Sequence, residues 1–199
     1  MDYSKIKRNM DKWRKAIETG NYPKEFLTVT KNGKPGDLWP IVAVARKIDE
    51  GIEEATFPLA PKKFVIRSDE VAEPVYYGKG TAPQPLEIFL AGIGMCMTSI
   101  YGEGAADLGL SIDSVEVRVQ GDCDLRGLLD FHKKGYENRP GFAKITYAVK
   151  IQSKEPKTKI MELIRRVERA CPAHNTVAHG APYEFHYTVN GKPLQTVNA

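Results

Sequence analysis

The order in which hydrophobic periodicities follow one another predicts an α+β fold. Short β-type runs come first. One long helix without a polar face follows, then two more strands, an amphipathic helix and a closing strand. Strands grouped on either side of helices, rather than alternating with them one by one, mark an α+β protein and not a regular βαβ repeat. Composition agrees: 199 residues, 42% hydrophobic and 27% charged, describe one ordinary globular domain with a small appendage. Disordered and collagen-like chains have very different compositions.

In chain order, Ile6, Met10, Trp13 and Ile17 are spaced 4-3-4 among lysines and arginines, the stripe of an amphipathic helix. The spacing predicts an end near Gly20, because Tyr22-Pro23 cannot continue the helix. Residues 31–37 (Lys-Asn-Gly-Lys-Pro-Gly-Asp) are turn chemistry. Residues 1–37 therefore read as a helical arm and linker, and 38–199 as the main domain. Residues 41–46 and 63–67 are β-type runs separated by Gly51 and Pro61. After Pro83 and Pro85, from Leu86 to about Ala106, Phe89, Leu90, Ile93, Met95, Met97, Ile100 and Tyr101 cover the whole helical circumference. A helix apolar all round is buried all round, which makes this the predicted central helix. Residues 115–119 and 145–151 alternate with period 2 as half-buried strands, the second reached through a polar loop at 133–141. Residues 158–171 form a helix with Ile160, Leu163, Ile164, Val167 and Cys171 on one stripe, broken by Pro172. A strand at 184–189 and the turn Asn190-Gly191 close the chain.

Several function classes find no support at this level. The net charge of +4 comes from 29 Lys+Arg interleaved with 25 Asp+Glu, without the basic stripe of a nucleic-acid or lipid-surface binder. The longest uncharged run, residues 88–101, falls short of the roughly 20 residues that span a bilayer. Met1-Asp2-Tyr3-Ser4-Lys5 holds no apolar signal segment, and three cysteines do not make a secreted disulfide framework. The expectation is a cytoplasmic protein with neither membrane nor nucleic-acid partner. Gly102-Glu103-Gly104 lacks the third glycine and the preceding strand of a dinucleotide fingerprint, and neither a P-loop nor a Gly-x-Ser-x-Gly elbow occurs. Cys171-Pro172-Ala173-His174 has the spacing of half a metal site without a second half, so neither metal nor cofactor is expected. His174 and His179 read as groups that cap or hydrogen-bond around the helix end. Cys123, within Gly121-Asp122-Cys123-Asp124, reads as a bystander in an acidic loop that disfavours its thiolate.

Two cysteines stand out by position. Cys96 lies in the apolar central helix and Cys171 on the apolar stripe of the later one, directly before Pro172. Both point to the core, where they either meet as a chemical pair or serve as two small buried hydrophobes.

The surroundings of both cysteines resemble the OsmC/Ohr family. The segments that carry the likeness are Ser68-Asp69-Glu70, then Gly78-Lys79-Gly80-Thr81-Ala82-Pro83-Gln84-Pro85-Leu86-Glu87, then Leu90-Ala91-Gly92-Ile93-Gly94-Met95-Cys96. Ala170-Cys171-Pro172-Ala173-His174-Asn175 completes it. The likeness runs from about Ile41 to Val189, leaving the N-terminal arm outside. It implies antiparallel sheets wrapped around buried central helices in an intertwined homodimer. It also implies a thiol peroxidase acting on organic hydroperoxides. Cys96 would attack the peroxide and become a sulfenic acid, Cys171 would resolve it to a disulfide, and an external dithiol would reduce that disulfide. A sulfenic acid beside a thiol condenses before it over-oxidises.

The nucleophile must be a thiolate, which apolar burial disfavours. Active family members meet this need with an Arg held by a Glu that directly follows the Pro. Here that place is Leu86. Glu87 stands nine residues before Cys96, about two and a half turns and so on the opposite helix face. It serves catalysis only with a distorted helix start; as a plain helix-N-terminal acid it complements the dipole, and this reading is preferred. The arginine expected at the site is Arg46, ending the first core strand, or Arg67, ending the second. The rival reading is a non-catalytic dimer of the same fold that holds a small apolar ligand between its helices. In a third, the N-terminal helix is an interaction arm or a lid.

Overall fold

The computed structural model describes residues 3–21, 41–60, 62–124 and 140–193. In chain order these hold α1 (Ser4–Thr19), β1 (Val44–Lys47), β2 (Ile52–Thr56), β3 (Val65–Asp69), α2 (Pro85–Leu108), β4 (Ser114–Asp124), β5 (Gly141–Gln152), α3 (Lys157–Ala170), α4 (Pro172–His179), β6 (Thr188–Val189) and β7 (Lys192–Pro193). Every sheet is antiparallel: β1-β2-β3, the long ribbon β4-β5, and the hairpin β6-β7. The α+β class stands as predicted.

The core is built on α2. Ile93, Met97, Tyr101 and Ala105, four residues apart, form one buried stripe that joins Leu110, Ile112, Leu163, Val167 and Cys171. Against it the β4-β5 ribbon sets Val115, Val117, Tyr147, Val149 and Ile151, the inward half of its period-2 alternation. α3 crosses α2 at Gly104, where a Cβ would stand 2.7 Å from Leu163 Cδ1. The missing side chain thus lets Leu163 and Val167, both fully buried, seat directly on the α2 backbone. α1 packs on α2 as well. Tyr3 reaches the core and its hydroxyl donates to the Ile112 carbonyl at 3.5 Å, while Asp107 on α2 accepts from both Arg14 of α1 and Arg166 of α3.

Several boundaries differ from expectation. α2 is not enclosed all round by its own chain: Leu86, Phe89 and Met95 are 43%, 47% and 64% exposed. The described residues leave these side chains uncovered. β2 was not expected, because both faces of Ile52–Thr56 are half-buried and the alternation that betrays a strand is absent. β1 begins only at Val44, and β3 is shifted to Val65–Asp69 by its pairing with β2. β4 continues through Asp124, so Cys123 lies in a strand opposite Phe142, at a register irregularity, and not in a loop. The closing strand shrinks to Thr188–Val189. Pro172 does end α3, but it also opens α4 as its first residue, where its missing N–H is no loss. The expected linker at 31–37, with the arm–domain boundary, and residues 133–139 of the polar loop lie outside the described residues.

Candidate active site

The thiol pair is positioned from two sides. Cys96 stands on α2 next to the Ile93–Met97 stripe and is half-buried; Cys171 is completely buried at the α3–α4 junction. Cys171 ends one helix and caps the next: its N–H donates to the Val167 carbonyl at 2.9 Å, and its own carbonyl accepts the Asn175 N–H at 3.0 Å. The last carbonyls of a helix have no intrahelical partner. Here the Asn175 side-chain amide supplies one, donating to the carbonyls of Glu168 (3.3 Å), Arg169 (3.2 Å) and Cys171 (2.9 Å). This clamp fixes the angle between α3 and α4, and with it the direction of the Cys171 side chain.

The result is a sulfur–sulfur contact. Cys171 Sγ donates to Cys96 Sγ at 3.6 Å. Burial pushes the Cys171 thiol above its ordinary pKa; the backbone N–H groups of His174 and Ala173 pull the other way and lose. Cys171 is thereby held as the protonated partner of Cys96. Beside the pair, the Tyr147 and His174 rings meet edge to face at 5.3 Å. Burial and the nearby Cys171 sulfur keep the Tyr147 phenol protonated. His174 Nδ1 is buried and without a hydrogen-bond partner. The expectation that His174 caps the helix end is therefore not met at Nδ1; Asn175 performs that task. The signal was a polar residue at each of two successive positions after Cys-Pro, with no sequence cue to which one turns inward.

The remaining expected site residues are not brought to the pair within one chain. Glu87 is exposed at the start of α2, where its carboxylate accepts the Gln84 N–H at 2.9 Å while the Gln84 side chain accepts in return. This reciprocal cap ties up the acid. Arg46 and Arg67 both lie opposite Glu54 in the strand register, forming a row Arg46–Glu54–Arg67 across the first sheet, with Arg67 Nε 3.4 Å from Glu54 Oε2. Both arginines are exposed. Among the described residues no three His, Cys, Asp or Glu side chains cluster as metal ligands.

Asp69 explains the first of the quoted motifs. It is fully buried and accepts from the Lys79 N–H (3.1 Å), the Thr81 N–H (2.8 Å) and the Thr81 hydroxyl (2.7 Å). The Thr81 N–H is the largest of the influences that lower its pKa. Its own N–H donates to the Pro83 carbonyl at 3.1 Å. Gly78 makes this fold-back possible, since a Cβ there would overlap the Glu70 carbonyl. The acid thus anchors the loop that launches α2 and, further along it, Cys96.

The family model described as OsmC-like protein matches residues 78–186, more than half of the chain and both cysteines. The chain belongs to the OsmC family. Solved structures share its fold. An OsmC-like protein from Mycoplasma pneumoniae aligns with TM-score 0.56 at 23% identity, over 70% of this chain and 88% of that one. An OsmC-like protein of Vibrio cholerae O1 gives 0.55 at 13%, over 70% and 94%. A second Vibrio cholerae protein, described as an organic hydroperoxide resistance protein with captopril in one of its active sites, gives 0.50 at 17%, over 80% and 96%. At these identities the likeness is one of fold. No curated protein matches the chain significantly. Of the expected fold, antiparallel sheets wrapped around buried central helices in an intertwined dimer, the single chain shows antiparallel sheets and helices in the OsmC-like arrangement.

Proposed function

We propose that this OsmC-family chain is a cytosolic, homodimeric thiol peroxidase for organic hydroperoxides, with Cys96 as the reacting thiol and Cys171 as its resolving partner. The observation that carries the reading is the 3.6 Å contact of the two sulfurs, one half-accessible and one fully buried. The Cys96 thiolate attacks one peroxide oxygen: an S–O bond forms, the O–O bond breaks, and the alkoxide leaves as the alcohol with a proton. Cys171 then attacks the sulfenic sulfur, so that an S–S bond forms, the S–O bond breaks and hydroxide leaves as water. An external dithiol restores both thiols. A sulfenic acid with a thiol this near condenses before it over-oxidises.

Two surfaces support a second copy as part of the site. Leu86 and Phe89 at the start of α2, and Met95 further along on another side of it, are exposed apolar side chains that a homodimer wrapped around α2 would cover. Between α2 and β4 runs an open groove of about 600 Å³, its apolar part formed by Leu90, Met95 and Val119 and its polar part by Glu87, Arg118 and Gln120. Its apolar part would take the tail of an organic hydroperoxide, which hydrogen peroxide lacks. In the Arg46–Glu54–Arg67 row of the first sheet, Glu54 pairs with Arg67 and stands opposite Arg46, and both arginines are exposed. In this reading Arg46 reaches the partner's thiol pair and stabilises the Cys96 thiolate, with Arg67 as the alternative. Glu87, the carboxylate nearest the expected family position, stays a helix cap.

The test is consumption of cumene hydroperoxide by the purified protein with a dithiol reductant. Cys96→Ser is expected to abolish turnover, and Cys171→Ser to allow a single equivalent before Cys96 over-oxidises. Full activity in Cys96→Ser would end the proposal. The capped Glu87 and the Leu86 in the family glutamate's place favour one competing reading, a non-catalytic dimer that binds a small apolar ligand. No turnover by the wild type, with Cys96 and Cys171 still titrating as thiols after peroxide, would decide for it.

A further inference from the structure

Neither the core nor the thiol pair accounts for the charge of α1. Six cations against two acids in Ser4–Thr19 give this one helix a formal charge of +4, which is the formal net charge of the whole chain. The rest of the chain is therefore balanced. Along the sequence cations are interleaved with acids, and that distribution predicts no lipid partner; on the helix they are sorted. Lys5, Arg8, Lys12 and Lys15 are spaced 3-4-3, which puts them on one stripe about 15 Å long. The apolar residues Ile6, Met10, Trp13 and Ile17 occupy the other side.

The stripe faces water. All four of its residues are exposed, and among the described residues none of them forms an ion pair. Of the two acids on the helix, Asp11 is taken by Arg14 at 3.3 Å, and Glu18 stands in the last turn. An open depression of about 480 Å³ over this face is bordered by Ser4, Lys7, Arg8, Asp11, Lys12 and Lys15, so a fifth cation adjoins the stripe. Helix stability does not explain the arrangement. The first turn holds Lys5 and Lys7 without an acid, and the last turn holds no base, the reverse of what the helix dipole favours. Nor is the helix loosely held: Tyr3 bonds to the Ile112 carbonyl, Arg14 pairs with Asp107, and Ile6 lies against Gly102. It is seated on α2 with its basic side outward.

We propose that the Lys5–Arg8–Lys12–Lys15 stripe docks the protein on a bilayer with anionic headgroups. The attraction is electrostatic, between clustered cations and a negative surface, and acts within a screening length of about 10 Å at about 0.1 M salt. The chemistry of the stripe favours lipid over nucleic acid. Three of its four cations are lysines, hydrated point charges that suit a diffuse negative plane and lack the planar fork of arginine. No aromatic side chain stands among them to stack on a base. A basic face backed by an apolar one is also the pattern of helices that lie on membrane surfaces. The proposal stands apart from the peroxidase reading. The two meet in one consequence: hydroperoxides with apolar tails collect in bilayers, where a surface-docked peroxidase would meet them.

The test uses the full chain without peroxide, so its outcome is independent of the thiol chemistry. Sedimentation with large vesicles of phosphatidylglycerol and phosphatidylcholine in equal parts is compared with sedimentation with pure phosphatidylcholine vesicles. Binding is expected to the anionic vesicles alone. It should vanish as salt rises from about 0.1 M to about 1 M, where the screening length falls to about 3 Å. Each cation near such a surface is worth roughly fivefold in partitioning. Lys5→Gln, Arg8→Gln, Lys12→Gln and Lys15→Gln together keep good helix formers on α1 and should weaken binding by roughly 10²–10³-fold. Lys5→Gln with Lys12→Gln, the second variant should the first fold poorly, should weaken it by roughly 20–30-fold. The control replaces four exposed lysines elsewhere, Lys144, Lys154, Lys157 and Lys159, by glutamine; it loses the same net charge and should lose far less binding. Undiminished binding by a folded stripe variant, an equal loss in the control, or no preference of the wild type for anionic vesicles overturns the proposal. So does transfer of the bound protein to duplex DNA at equal phosphate, which would assign the stripe to nucleic acid.

Discussion

The α2–α3 crossing sets where Cys171 meets Cys96, and its energetics can be worked from one contact. Leu163 is fully buried over Gly104. Leu163→Ala removes three carbons, roughly 2.4 kcal/mol of transfer free energy at about 0.8 per carbon. The cavity left behind raises the expected loss to roughly 3–5 kcal/mol, because Gly104 beneath it has no side chain to move in. Gly104→Ala gains about 1 kcal/mol of helix propensity. It also drives a Cβ to 2.7 Å from Leu163 Cδ1, an overpacking penalty of about 1–3 kcal/mol. In the double variant the clashing methyl is gone and the new Cβ occupies part of the void. The pair is therefore expected to be at least about 1 kcal/mol more stable than the two single losses add up to. Urea unfolding of the four proteins at constant slope measures this directly; for a chain of this size each kcal/mol corresponds to roughly 2–4 °C in Tm. Additivity within about 0.5 kcal/mol would refute the reasoning. So would a Leu163→Ala loss below about 1 kcal/mol, since the contact would then not organise the crossing.

Three further outcomes are expected. Asn175→Ala strips the clamp from the carbonyls of Glu168, Arg169 and Cys171; a loss of roughly 1–3 kcal/mol and slower diamide-driven closure of the thiol pair should follow, and an unchanged closure rate would contradict the clamp. The hydrogen bond from Arg14 is the largest influence on Asp107; burial opposes it, and the charges of Arg166 and Arg14 with the Arg166 hydrogen bond tip the balance to a lowered pKa. The carboxylate's contribution is thus present above the ordinary carboxylate range and lost as pH falls through its depressed value. Acid should release α1 to limited proteolysis before the core unfolds, and Asp107→Asn should release it already at neutral pH. Burial raises the Cys171 pKa, so the folded state favours the neutral thiol. That contribution is complete below the ordinary thiol value of 9.0 and declines as pH rises above it. The reduced protein should lose stability at alkaline pH more steeply than Cys171→Ser, as read by urea midpoints at pH 8 and pH 10.

Much of this molecule was legible in the sequence because the determining interactions are local or periodic. The alternation in Val115–Val119 and in Ile145–Ile151 named the inward faces of β4 and β5. The stripe of Leu163 and Val167 named the buried face of α3, since a helix or strand half in water must show its period. Cys96 and Cys171 were marked by their neighbours and by family resemblance. Periodicity failed where both faces have the same environment. β2, half-buried on both sides, showed no alternation, and α2, apolar all round, gave no hint that Leu86, Phe89 and Met95 would remain exposed. Pro172 marks a helix end in the sequence, yet the same missing N–H suits a helix beginning, and here it serves as both.

What only the tertiary structure decided is where side chains from distant elements converge. No spacing along the chain states that Cys96 and Cys171 come within 3.6 Å, that Glu87 is taken by the Gln84 N–H, or that Arg46 and Arg67 flank one glutamate in the strand register. Nor does it state that Asn175 and not His174 closes the end of α3, leaving the imidazole's Nδ1 buried and unpartnered. Those facts follow from helix-crossing geometry and strand register. Both are set by packing volume across the core, which the linear order of residues constrains but does not spell out.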